Sequence, residues 1–384
     1  MKPCAVAVVG AGMVGAAVAR ELAVRDVDVC LLDAGEVACG TTGLGEGNVL
    51  CSDKDAGPEL ELAIHALALY DELEDRLGEV AQIRRKGALI VHPGSDTWVG
   101  EPARVGRLTA AGAHGELLGA DEVRDLEPGL TGFIHGAAYF PQDLQCSPRT
   151  IAQALAKEVP RVKTGFRVES IEVLGSRVAG VRTADSRLAA DAVVIAAGPW
   201  SARLAASAGL ELPVEPRWGQ LVQLRVENGA TAPLIHHKVV DGSYLRSVVD
   251  PGAELQVSSV LETTWDGDVL VGSSRARRGF DLAVDEAVTR AMLERGARLM
   301  PGLRDLRVVR AWSGLRPWLP DHLPAIGPCR AVEGLWAATG HEGAGVGLGP
   351  ITGRLIAQAM CGEAPLMDLT PFDPDRFVTA AAAR

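Results

Sequence analysis

A chain of 384 residues, 47% hydrophobic but only 4% aromatic, is long enough for two domains or one with an insertion, and must build its cores from aliphatic side chains. The net charge of −11, with no long Lys/Arg run, excludes the electrostatic footprint of a nucleic-acid partner. The seven cysteines (Cys4, Cys30, Cys39, Cys51, Cys146, Cys329, Cys361) are odd in number and none stands in Cys-x-x-Cys spacing, which supports neither a disulfide framework nor a metal or iron–sulfur centre.

Cys4 to Gly15 is apolar but too short to span a bilayer, and it lacks the charged start and cleavage pattern of an export signal. A cytoplasmic protein without a membrane span is expected. Ala5 to Val9 predicts a buried parallel strand. Gly10-Ala-Gly12-Met-Val-Gly15 follows, then a helix over Met13 to Val24 and a second buried strand, Val29 to Leu32, ending in Asp33. This is one strand–helix–strand unit of dinucleotide-binding type. Gly10 makes the tight turn, Gly12 lets the backbone approach a pyrophosphate, and Gly15 lets helix pack on strand. The helix start offers unpaired N–H groups and a positive dipole end to phosphates. Asp33, 18 residues past Gly15, can accept bonds from ribose hydroxyls and would repel a 2′-phosphate, which disfavours NADP.

The Gly-rich stretch from Gly35 to Asn48 predicts a loop, and Pro58 to Leu77 a helix with Pro near its start and Gly78 past its end. From Lys86 to Gln145 short strands and turns are expected, with one small helix near Ala120 to Leu126. Ser147 to Val159 reads as a helix, Phe166 to Val173 and Val178 to Thr183 as a hairpin, and Ala192 to Ala196 as a buried strand. Pro213 to Gly279 alternates with period two and predicts an antiparallel sheet. Within it His236-His237 reads as surface strand, and Arg275, Arg277 and Arg278 as a solvated turn. A helix over Asp285 to Leu299, a strand over Leu335 to Ala338, a Gly-dense turn from Thr339 to Gly349 and a helix over Pro350 to Met360 precede an Ala-rich tail.

Dinucleotide-type segments thus stand at the start, middle and end of the chain. The expected fold is α/β: a discontinuous Rossmann-like nucleotide-binding domain (1–85, 146–212 and 311–384) and an antiparallel-sheet substrate domain (86–145 and 213–310). A nicotinamide domain would continue at once into further βα units. Here a Gly-rich loop intervenes, and a second Gly-rich strand-to-helix turn comes about 300 residues later. Two helix starts suit FAD, one for the pyrophosphate and one for the negative N1/C2=O edge of reduced flavin.

Four motifs in order carry a family resemblance. They are the N-terminal glycines, Ala196-Ala197-Gly198-Pro199-Trp200-Ser201, the stretch from Trp312 through Gly314-Leu315-Arg316-Pro317 to Asp321, and Gly340-His341-Glu342-Gly343-Ala344-Gly345-Val346-Gly347. Along its full length the chain resembles the D-amino-acid oxidase superfamily, the group of glycine oxidase, sarcosine oxidase and D-amino-acid dehydrogenase. Gly45-Glu46-Gly47-Asn48 and Gly-His-Glu-Gly look most like the FAD subunits of dye-linked proline and hydroxyproline dehydrogenases.

The resemblance implies that Met13, Val14 and Ala34 join the glycines and Asp33 around the ADP moiety. It places Thr41 and Thr42 along the phosphates and flavin, and Glu46, Gly47 and Asn48 beside the isoalloxazine. Val168 would bond the adenine through its backbone, Ala197, Gly198 and Trp200 would close over the ADP, and Gly343 to Gly347 would form the second helix start. Arg316 would bind a substrate carboxylate, assisted by Tyr244. A guanidinium forks onto a carboxylate with two parallel bonds and stays charged; the alternative for Arg316 is an ion pair with Asp321 or Asp305. His341 stands as a candidate base, or as a residue that orients its loop. Glu46 and Glu342 could pair with a substrate amine or cap turns. No cysteine lies between Trp312 and Asp321, so non-covalent FAD is expected. The implied reaction is oxidation of the C–N bond of a small amino or imino acid, with oxygen or a partner chain as electron acceptor. The alternatives are a flavin subunit of a heteromeric dehydrogenase and a flavin-binding scaffold without turnover.

Overall fold

In the computed structural model, which describes residues 2–226, 234–243 and 255–378, the chain folds around two eight-stranded sheets. The first runs in the order Ala325–Pro328, Leu335–Thr339, Arg187–Ile195, Cys4–Val9, Val29–Leu32, Val162–Lys163, and a hairpin of Ser170–Leu174 and Arg177–Arg182 extends from the Arg187–Ile195 strand. Its central pairs are parallel. Val6 to Val9 and Val29 to Leu32 are buried on both faces, because helices cover a parallel sheet on each side; hence the unbroken apolar runs.

Two helices begin beside this sheet, Met13–Ala23 and Gly345–Met360, and they pack along each other. Glycine permits the approach: a Cβ on Gly353 would stand 2.6 Å from the Ala17 carbonyl carbon, and one on Gly349 2.6 Å from Met13 Cγ. The last helix starts five residues before the expected Pro350, which lies inside it. A proline there cannot donate to the carbonyl of Val346. The phenol of Tyr70, from the Pro58–Leu77 helix, donates to that oxygen instead at 2.7 Å.

The second sheet runs Arg307–Trp318, Glu215–Arg225, Val269–Ala276, Leu255–Thr263, Lys238–Asp241, Ala88–His92, Gly136–Phe140, Glu116–Gly119. It is antiparallel throughout except between Lys238–Asp241 and Ala88–His92, which come from distant parts of the chain and need no hairpin. The Glu286–Leu299 helix, capped by the Asp285 carboxylate on the N–H groups of Ala287 and Val288, buries Val288 and Met292 against this sheet.

Several local expectations change. Ser95–Trp98 and Glu101–Ala110 are helices within a region expected to hold short strands and turns, and Thr41–Leu44 is one helical turn inside the Gly-rich loop. Phe166 to Glu169 stands outside the hairpin, and His236-His237 precedes the strand that begins at Lys238. Arg275 is not in a solvated turn: it lies buried in the Val269–Ala276 strand, paired across to Gln256. Residues 311–318 pair along their length with the second sheet, although the sequence division grouped them with the nucleotide-binding segments.

Candidate active site

A cavity of about 880 Å³ lies between the two sheets, lined by the ends of the first sheet's strands, both glycine-rich helix starts and one face of the second sheet. At its first end the fingerprint glycines have distinct contacts. Gly10 has φ +110, and a Cβ there would stand 2.3 Å from the Ala196 oxygen; one on Gly15 would stand 1.8 Å from the Gly10 oxygen. A Cβ on Gly12 would meet only the Thr42 side chain. Asp33 accepts bonds from the N–H groups of Ala11 (2.6 Å) and Gly35 (2.8 Å), which fixes its carboxylate at the cavity edge beside Ala34. Val168, Ala197, Gly198 and Trp200 also line this end, and Trp200 stacks on Phe280 of the other half of the molecule.

The loop from Gly40 to Asn48 crosses the middle of the cavity and is tied on several sides. Thr42 accepts the Met13 N–H (2.9 Å), Thr41 donates to the Leu315 oxygen (2.6 Å), and the Trp312 indole donates to the Leu44 oxygen (2.8 Å). Gly47 is required because the Cys146 oxygen would stand 1.7 Å from a Cβ. The two threonines thus hold the loop between the first helix and the Arg316 strand.

The second sheet supplies the cations of the cavity floor, and the two glycine-rich turns supply the carboxylates that face them. Arg316 lies across Gly219, where a Cβ would stand 2.0 Å from its Nη1, and donates to the Ser274 oxygen at 3.0 Å. Asp321, its alternative partner in the sequence reading, is paired with Arg376 instead (2.6 Å). On one side of Arg316, the Glu46 carboxylate accepts from Lys238 Nζ (2.9 Å) and from the Asn48 amide. Burial raises the Glu46 carboxyl, but Lys238, Arg316 and Asn48 outweigh it and hold it below the usual range. On the other side, Glu342 accepts from Arg217 at 2.6 Å, with Arg275 at 3.5 Å and His322 at 3.3 Å. Burial opposes its ionisation, yet His322, Arg275, Arg217 and Arg316 bring its carboxyl down to about 2.

His341 is buried behind the second helix start. Thr352 donates its hydroxyl to the Leu348 oxygen (2.7 Å), so the 2.9 Å contact with His341 requires the imidazole Nε2–H to donate to Thr352. Burial pushes its pKa down to about 3, so the ring stays neutral. That makes it a weak base and a firm tether for its loop. Tyr244 lies outside the described residues. Lys238 and Arg217 were missed in the sequence, and Arg275 was read as part of a solvated turn: each is a cation in a strand of the second sheet, and only its burial opposite a glutamate marks it out.

The lining fits a flavin dinucleotide. Gly40 has nothing within 4 Å of where a Cβ would stand, and the Asn48 Oδ1 is buried without a hydrogen-bond partner. The N–H groups of Val14 and Gly15 precede the first intrahelical bond, Ala16 to Gly12. Those of Gly345, Val346 and Gly347, after Gly343 and the cap Ala344, precede Leu348 to Ala344. Two sets of open donors therefore face one cavity.

The family model for FAD dependent oxidoreductase matches residues 5–359. The chain is 30% identical over 379 residues to a glycine oxidase of Pseudomonas aeruginosa, covering 96% of this chain and 98% of that one. It is 29% identical over 339 residues to hydrogen cyanide synthase subunit HcnC of the same species, covering 84% and 75%. The crystal structure of glycine oxidase from Geobacillus kaustophilus superposes with a TM-score of 0.88 at 28% identity, over 99% of this chain and all of that one. Among the described residues no helix is long and apolar enough to cross a membrane.

Proposed function

The chain belongs to the family of FAD-dependent oxidoreductases, and on that premise we propose that it oxidises the C–N bond of a small amino or imino acid to an imine. Bound FAD supplies the hydride acceptor for that chemistry. The observation that carries the reading is Arg316, laid flat over Gly219 on the cavity floor and flanked by Glu46 and Glu342. Its fixed charge suits a carboxylate, and a carboxylate held there orients the neighbouring carbon toward the flavin loop. The tie from Thr41 to Leu315 keeps loop and arginine strand in one register, so binding and orientation act together. His341, neutral and bonded to Thr352, holds the second helix start rather than taking a proton. The cofactor is bound without a covalent link: Cys39, the cysteine that precedes the flavin loop, sits 3.9 Å from Asp33 at the nucleotide end. A cytoplasmic location is part of this reading.

The test is anaerobic bleaching of the flavin absorbance by glycine, sarcosine, D-alanine and L-proline. At least one should bleach it, and Arg316→Ala should raise its KM about 100-fold or more with FAD still bound. An unchanged KM would remove the carboxylate assignment, and no bleaching by any amino or imino acid would favour a flavin-binding scaffold. A second reading, a flavin subunit of a heteromeric dehydrogenase, is favoured by the likeness to a protein named as a synthase subunit and by the exposed Trp200–Phe280 stack beside the cavity. Rapid peroxide formation by the purified chain in air would instead make it a free-standing oxidase.

A further inference from the structure

Two carboxylates flank Arg316, and their surroundings differ. Both oxygens of Glu342 are committed, Oε1 to Arg217 and Arg275 and Oε2 to His322. On Glu46, by contrast, the Lys238 ammonium and the Asn48 amide converge on Oε2. Oε1 lies over Gly272, where a Cβ would stand 2.5 Å from it, and among the described residues no donor reaches it. Glycine under that oxygen leaves the room it occupies. The residue lines the cavity, and Lys238 fixes its carboxylate in position. A side chain so anchored loses little further freedom on meeting a ligand.

We propose that Glu46, through Oε1, binds the amino group of the substrate while Arg316 binds its carboxylate, so that the site is a clamp for amino acids carrying at least one N–H. This rests on the reading of the protein as an amino- or imino-acid oxidoreductase. An anion and a cation side by side complement a zwitterion whose own charges are one carbon apart. They also discriminate against a plain carboxylate, which leaves Glu46 unpaired, and against a quaternary amine, which has no hydrogen to donate.

The experiment compares two kinds of ligand on the FAD-bound protein. One is the best-reducing member of the amino-acid panel; the other is acetate or propionate, followed as a competitive inhibitor. Glu46→Gln should raise KM for the amino acid about 10- to 100-fold, the range for loss of one charged hydrogen bond. Ki for the plain carboxylate should stay within about twofold. Because Glu46→Gln removes the nearest counter-charge of the buried Lys238, the double variant Glu46→Gln/Lys238→Met is measured beside it and should show the same selective loss. Equal weakening of both ligands, or an unchanged KM in both variants, would overturn the proposal. Should no amino acid reduce the parent protein, it is the functional reading that has failed, and the two failures are thereby separated.

Discussion

The two helix starts that open on the cavity present the same kind of open N–H donors but are held by different means. At Met13 the turn is set chiefly by backbone contacts, Gly10 under the Ala196 oxygen and Gly15 against Gly10 itself, with Thr42 accepting the Met13 N–H. At Gly345 it is held by side chains: Tyr70 on the Val346 oxygen, Thr352 of the same helix on the His341 ring, and Arg217 on Glu342, which stands at φ +47. A start fixed by steric contact depends on glycine at set spacing. One fixed by distant side chains tolerates more local sequence, and depends on partners that spacing does not reveal.

Substituting the same residue at both starts tests that difference most severely. Gly15→Ala would place a methyl 1.8 Å from a backbone oxygen that cannot move aside. We expect a loss of about 3 kcal/mol or more and a protein purified without flavin, read by denaturant unfolding and by absorbance. Gly345→Ala meets only the His341 Cβ, at an ordinary 3.4 Å, and should change the unfolding midpoint little. If both variants fail alike, the two starts are not held differently.

The same contrast explains what the sequence could disclose. The first strand–helix–strand unit was legible with its boundaries because Gly10 and Gly15 answer to contacts within it or with the end of one neighbouring strand. The last helix was expected from Pro350, since a proline normally marks a first turn. Its true start depends on Tyr70, about 280 residues away, accepting the role of the missing N–H. Arg316 could be singled out by its motif, but Lys238, Arg217 and Arg275 could not. Alternating strands conceal which face meets the cavity, and a cation in such a strand is ordinarily solvated. Arg275 was misread for that reason.

Acid should weaken the second start selectively. His341 has a folded pKa of about 3 against 6.5 for the free group, so between these values the unfolded chain binds the extra proton. The stability conferred by keeping the ring neutral is complete above pH 6.5 and is lost as pH falls toward 3. By pH 5 the loss is about 2 kcal/mol. Glu342, with its carboxyl at about 2, loses its own contribution only as pH falls below about 4.5, whereas buried Asp143, raised from 3.8 to about 7, gives a slope of opposite sign between those values, so the histidine is read as the difference between parent and variant. Relative to the parent, His341→Gln should gain about 2 kcal/mol between pH 6.5 and 5; an unaltered acid slope would show that the ring is not the group being titrated.

The smallest effect is the most specific. Tyr70→Phe removes the donor to the Val346 oxygen and should cost about 1–2 kcal/mol, the penalty for a buried acceptor left without a partner. That figure alone would not distinguish the lost bond to Val346 from loss of the phenol oxygen that accepts the Cys146 thiol at 4.0 Å. Pro350→Ala separates them, because an alanine restores the N–H that a regular helix would aim at Val346. In that background the Tyr70→Phe penalty should shrink by more than half, a coupling that denaturant midpoints of the four proteins would measure. Were the penalty the same with and without Pro350, the phenol would be packing against the helix rather than completing it. The second helix start would then owe its position to His341 and Glu342 alone.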